Sequence, residues 1–230
     1  MLHWVSYLGL GLLPLLVALP FNLISFSWAF RHPNEPMPSE LEAKSRIIDG
    51  YVIIIRDVIL LVGILALMNY SGLPPSTIGL TLKRWKWNTL IGIVCGILQI
   101  GVQRLAWKSI PLRKRHTYIQ RPIEASRLDA IFGNLISVFA QELWIAFSVV
   151  TLRLTGHSMG ASLLLMATVF AIAHFPYRLG AIASGLYGMA YAGLFLWRIS
   201  LLTPILAHYI GNLGAMFIAR GTPYDKVGNK

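Results

Sequence analysis

Apolar stretches close to the length of a membrane span recur along the chain, separated by short polar segments. Crossing about 30 Å of hydrocarbon takes about 20 apolar residues in a helix. Such stretches fall near residues 4–30, 51–69, 88–104, 129–150, 159–175, 180–197 and 200–219. Lipid offers the backbone no hydrogen-bond partners, so each stretch is predicted to be α-helical. The expected fold is an all-α, polytopic membrane helix bundle of about seven transmembrane helices, or eight if the long first stretch or the Gly-rich sixth divides. It divides into N-terminal helices with a basic loop (1–124), a helical core (125–219) and a short tail (220–230), within one integral membrane domain.

Composition agrees with this pattern. The 230 residues are 56% hydrophobic and 13% charged, with a mean hydropathy of +0.63, whereas soluble domains carry about 25% charged residues. The first stretch lacks a positively charged leader and a convincing small-residue cleavage site, so it is predicted to be a retained span, kinked at Pro14 or Pro20. Cys95 is the single cysteine, which excludes an intramolecular disulfide and a cysteine-based zinc site.

The formal net charge of +11 raises the question of a nucleic-acid partner. The basic residues lie between spans, however: Lys83, Arg84 and Lys86, then Lys108, Arg113, Lys114, Arg115 and Arg121. Anionic lipid headgroups and the positive-inside bias account for them, so membrane lipids are the expected partners and nucleic acid is not. With seven spans and the N-terminus outside, the segments 31–50 and 105–128 and the tail are cytoplasmic, which leaves the Lys83 group on the opposite side. The localisation implied is a multi-pass integral membrane protein, in the plasma membrane if the source is bacterial.

Three connecting features carry structural expectations. In PSELEAKSR, the serine before a Glu-rich run predicts a cap on a short interfacial helix. TLKRWKWNTL, with Trp85 and Trp87 among cations, reads as an interface anchor. Gly180, Gly185, Gly188 and Gly193 predict close helix packing in the sixth span.

Ionisable residues at membrane depth are costly and are candidates for function. Arg56 and Asp57 in the second span are expected to pair with each other or across helices. Asp129, at a helix start, suits the N-terminal dipole. Glu142, His174 and His208 lie deeper, each on a separate span. A glutamate can activate water, and imidazoles can bind a metal or donate to an oxyanion. His208 and Asn212 are spaced i, i+4 and share a helix face, and Phe170 stands in the same relation to His174. Buried Glu and His also fit a proton relay, but the chain lacks the repeated halves often seen in transporters.

The order FAIAH (170–174) then HYIGN (208–212), behind a buried glutamate, resembles the CPBP family, also called Abi, of CAAX-prenyl-protease and bacteriocin-processing intramembrane endopeptidases. The resemblance covers roughly residues 125–219. It rests on the motif series EExxxR, FxxxH and HxxxN. It implies hydrolysis of a peptide bond in a membrane-associated protein or peptide, prenylated in some members, with site residues Glu142, His174, His208, Asn212 and Gln141. One version of that mechanism places a divalent metal such as zinc on the histidines, here His174 and His208.

The first motif departs from the pattern. QELWIA puts Gln141 at the first glutamate, keeps Glu142 at the second, and has Ala146 where the arginine stands. An amide near neutral pH cannot take a proton from water. Adjacent helical residues point about 100° apart. In one view Gln141 faces the histidines and hydrogen-bonds His174 or His208; in the other Glu142 reaches the site through a rotated or locally distorted helix. Two readings stay open: a peptidase with Glu142 as base, or an inactive relative serving as a membrane scaffold, chaperone or immunity-type binding protein.

Overall fold

The computed structural model describes residues 38–111, 127–174 and 179–220, with a few positions between 27 and 35. From residue 38 onward the order is α1 (Ser39–Ser71), a 3-10 helix (Pro75–Ile78), α2 (Trp85–Ser109), α3 (Arg127–Leu154), α4 (Met159–Ala173), α5 (Leu179–Arg198) and α6 (Leu202–Arg220). No strand occurs among the described residues, so the all-helical expectation holds. Trp85–Ser109, Ile131–Leu154 and Leu179–Arg198 are long and apolar enough to cross a membrane, and Met159–Ala173 is a shorter apolar helix. The predicted first span lies almost entirely outside the described residues, as does the basic run at 112–126.

One local expectation is corrected. Ser39 does not cap a short helix. Pro38 occupies the N-cap position with φ −56° and ψ 141°, no side chain caps the end, and the helix runs unbroken from Ser39 to Ser71. Proline fixes the extended entry conformation, and no further proline interrupts the sequence before Gly72. The interfacial segment and the span are therefore one helix, which closes at Gly72 with φ 66°. Asp129 falls in the first turn of α3, where side chains lie outside the described residues.

Helix α3 is the axis of the bundle. It packs on α1, α4, α5 and α6, and every residue from 142 to 152 is buried. A helix buried on all sides must be apolar on all sides, and the sequence Leu143 to Val150 meets this condition apart from Ser148. Glu142 opens this buried run, so its depth follows from the placement of α3.

Helix α2 has the opposite disposition. Its buried residues are Asn88, Gly92, Gly96, Gln99, Gln103 and Trp107, while Leu90, Ile97, Leu98, Val102 and Leu105 are exposed. In lipid, apolar side chains gain little by turning inward. Small residues allow helices to approach, and polar ones hydrogen-bond across them. The small and polar stripe of α2 lies on α6 in this way. Trp85 and Trp87 are exposed at the start of α2, and Lys86 lies 5.8 Å over the Trp85 ring.

Asn88 ties three chain segments together. Its Nδ2 donates to the Lys83 carbonyl at 3.0 Å, and its Oδ1 accepts from Arg198 Nε at 3.0 Å at the end of α5. Its backbone carbonyl accepts from Thr203 at the start of α6. Removing the amide leaves partly buried partners unsatisfied, at about 1 to 3 kcal/mol. Asn88→Ala should therefore lower the melting temperature in detergent, whereas an unchanged temperature would show that water replaces these bonds.

The glycines of α5 divide. A Cβ on Gly188 would lie 2.8 Å from the Phe170 ring, and one on Gly185 would lie 2.8 Å from the Ala167 carbonyl oxygen, but Gly193 faces open space. Close packing is thus real at two positions on the α4 side. At Gly188 it lets the FAIAH helix settle against α5.

Candidate active site

Three helices deliver the polar residues of the motifs to one region. Glu142 comes from α3, His208 from α6, and His174 is the C-cap residue of α4. His208 Nδ1 lies 2.6 Å from Glu142 Oε1, with the two residues 5% and 1% exposed. Glu142 Oε2 is buried and has no hydrogen-bond partner among the described residues. Buried acceptors are nearly always satisfied by protein or ordered water, and this atom is free to accept a hydrogen bond as far as the described residues go.

His174 joins the pair through an aromatic ring. Its Nδ1 lies 2.8 Å from the Phe170 carbonyl oxygen. A carbonyl can only accept, so Nδ1 carries the proton and Nε2 is the basic nitrogen of the neutral ring. The Phe170 ring stacks on His174 at 4.7 Å and lies edge-on to His208 at 6.1 Å. The i, i+4 relation of FAIAH thus fixes His174 twice, through the ring and through the carbonyl of the same phenylalanine. Ser158 starts α4 by accepting from the Ala161 N–H, and His174 closes the same helix at its other end.

Of the two views of the adjacent pair on α3, the geometry fits the one with Glu142 turned to the site. Glu142 faces His208, and Gln141 does not. The Gln141 amide donates to Ser137 Oγ at 2.9 Å, one turn back on its own helix. The same hydroxyl accepts from Arg56 at 3.1 Å, and Arg56 pairs with the buried Asp57 at 2.8 Å. The turn of about 100° between neighbours therefore puts Glu142 toward α6 and Gln141 toward α1. Packing of residues 143–152 sets this rotation, and a short motif does not encode it. Ala146 is fully buried, and in this region the cation comes from α1.

Asn212 lies one turn beyond His208. Its Nδ2 donates to Asn134 Oδ1 on α3 at 3.1 Å, and Asn134 Nδ2 is buried without a partner among the described residues. An amide nitrogen carries two N–H groups, so Asn212 retains a second donor beside the unsatisfied one of Asn134. Sequence reading missed Asn134, Ser137 and Tyr191. The first two share a face with Gln141 by their three- and four-residue spacing, a signal that was present in the sequence. Tyr191 was hidden among the small residues of α5. Its ring stacks on His208 at 4.5 Å and 16°.

Among the described residues, no three His, Cys, Asp or Glu side chains are grouped so as to hold a metal ion. Catalytic zinc takes three protein ligands and structural zinc four. His174 and His208 alone do not fit that ion, and the chemistry below is derived from the side chains.

Comparison with known proteins adds one finding. Residues 124–214 match a family model described as Rce1-like, type II CAAX prenyl endopeptidase. No curated protein matches the chain, and no solved structure does. The matched segment carries α3 to α6 almost whole, and with them Glu142, His174 and His208. Family members act on membrane-associated proteins or peptides in general terms, and the apolar helices place this chain in the membrane. The Rce1-like match over residues 124–214, about two fifths of the chain, supports membership of the CAAX-protease family for this integral membrane protein.

Proposed function

We propose that the protein is an intramembrane endopeptidase that hydrolyses a peptide bond in a membrane-associated substrate, with Glu142 as the base. The observation that carries this reading is the 2.6 Å contact of Glu142 Oε1 with His208 Nδ1, which leaves Oε2 buried and unsatisfied. Water bound at Oε2 can give its proton to the carboxylate as it attacks the carbonyl carbon. His208 holds the carboxylate through Oε1, and so fixes where Oε2 points. The Asn212 amide and the neighbouring Asn134 Nδ2 are donors suited to the oxygen that gains negative charge. His174, basic at Nε2, relays the proton that Glu142 has taken from water to the amine nitrogen as its C–N bond breaks. Each step uses a group that a surrounding contact already orients, so little reorganisation is needed.

A second reading has its own observation. Gln141 is tied to Ser137 and Arg56 rather than to either histidine, so the site holds one carboxylate where the family motif has two. A relative without hydrolytic activity could use the same group of side chains to bind a membrane-associated partner.

Cleavage separates the two. The full-length protein in proteoliposomes is offered a farnesylated peptide with a C-terminal CAAX sequence and, separately, a non-prenylated transmembrane peptide. The hydrolytic reading expects cleavage of at least one, lost in His208→Gln. Folded protein that cleaves neither favours the binding reading.

A further inference from the structure

We infer that Gln99 and Tyr191 are positioning residues for His208, with Gln99 acting from a helix outside the segment that matches the family. The inference rests on the hydrolytic reading for its catalytic meaning, but its geometry is independent of it.

The chain of contacts begins on α2. Gln99 Oε1 accepts a hydrogen bond from the Tyr191 hydroxyl at 2.8 Å. Both residues are buried, at 8% and 3% exposure. Tyr191 in turn lies nearly parallel to the His208 ring, 4.5 Å away. A histidine side chain has two torsions, and the bond to Glu142 fixes only the position of Nδ1. Rotation about the axis through that contact would still swing the ring. The flat face of Tyr191 blocks this swing on one side, and the edge of Phe170 stands near the ring at 6.1 Å.

Gln99 is itself held by the HYIGN motif. A Cβ on Gly211 would fall on the Gln99 amide group, 2.3 Å from its carbon and its nitrogen. The glycine between His208 and Asn212 thus opens the notch in which Gln99 sits. One turn of α6 carries the histidine, and the same turn admits the glutamine that anchors the tyrosine stacked on that histidine. The loop of contacts closes through three helices.

A glutamine in a membrane helix usually serves helix association, and a test must separate that role from positioning. Full-length protein is labelled with 15N-histidine in detergent micelles, and the His208 ring signals are assigned by their absence in His208→Gln. Tyr191→Phe keeps the stacked ring and removes only the hydroxyl; Gln99→Met removes the acceptor. Each variant should shift the His208 signals in the same direction, and the double variant should shift them no further, since both remove one bond. Asn88→Ala, which loosens the helix packing elsewhere, should leave them in place. In the peptide assay each positioning variant should lower kcat by about tenfold with KM unchanged, a loss in keeping with small misplacements of a reacting group.

His208 signals that keep their wild-type positions in Tyr191→Phe and Gln99→Met overturn the inference, whatever the assay reads. Signals that move equally in Asn88→Ala also overturn it, because the effect would then be general loosening. Should Gln99→Met not fold, Tyr191→Phe decides alone. If the signals shift as expected while the wild-type protein cleaves no peptide, the positioning stands and the hydrolytic reading fails.

Discussion

Ala146→Arg should prevent the protein from being recovered folded in detergent, although it restores the residue that the family motif carries at this position. Ala146 is fully buried within the run of α3 that packs on four other helices. An arginine there must push aside close-packed neighbours, at about 1 to 3 kcal/mol. It must also bury a cation at membrane depth, at about 2.5 to 3.5 kcal/mol or more, and the acid one turn back on the same face is Glu142, which already holds His208. Gln141→Glu, the other half of the same reversion, should be tolerated. Position 141 is half-buried, Ser137 can turn its hydroxyl to donate to a carboxylate, and Arg56 supplies a cation through that serine. Size-exclusion profiles and thermal unfolding of the two single variants measure the contrast. A well-folded Ala146→Arg protein would mean that the α3 core has room, or a partner, that the described packing lacks.

Glu142→Gln should lower kcat by about 10³ to 10⁴-fold, by analogy with the loss when an amide replaces the buried carboxylate of a catalytic triad. The melting temperature should change little, because the amide oxygen can still accept from His208 Nδ1 and the shape is conserved. Glu142→Leu should be worse in both respects. It leaves the buried imidazole without its partner, which costs about 1 to 3 kcal/mol if the ring is neutral. Pairing these two substitutions separates the chemical role of the carboxylate from its part in holding α3 against α6. Equal rates in wild type and Glu142→Gln would show that proton transfer uses another group.

Much of the fold was legible in the sequence because membrane helices are bounded by hydrophobicity. The predicted 159–175 and 180–197 spans compare with Met159–Ala173 and Leu179–Arg198, and 88–104 lies inside Trp85–Ser109. The start of α1 was misread because a serine before glutamates resembles a cap, while the preceding proline takes that place. At the site, the depth of Glu142, His174 and His208 and the order of their motifs made them candidates in the sequence, but did not show their convergence. Which of two adjacent residues faces the histidine could not be anticipated. Glu142 and His208 are separated by 66 positions, and the rotation that joins them is set by packing all along α3. Gln99 and Tyr191 were illegible for a related reason. A glutamine and a tyrosine in apolar helices have many uses, and only the notch at Gly211 and the stacked ring show which one applies here.

The central claim is that the reacting carboxylate belongs to Glu142 and that Gln141, in the motif's first position, plays no part in the reaction. The most direct test is kcat for peptide cleavage by Glu142→Gln and Gln141→Leu, measured side by side in the same proteoliposomes. The account predicts a loss of about 10³-fold or more at position 142 and near wild-type turnover at position 141. A severe loss in Gln141→Leu, with Glu142→Gln active, would contradict it.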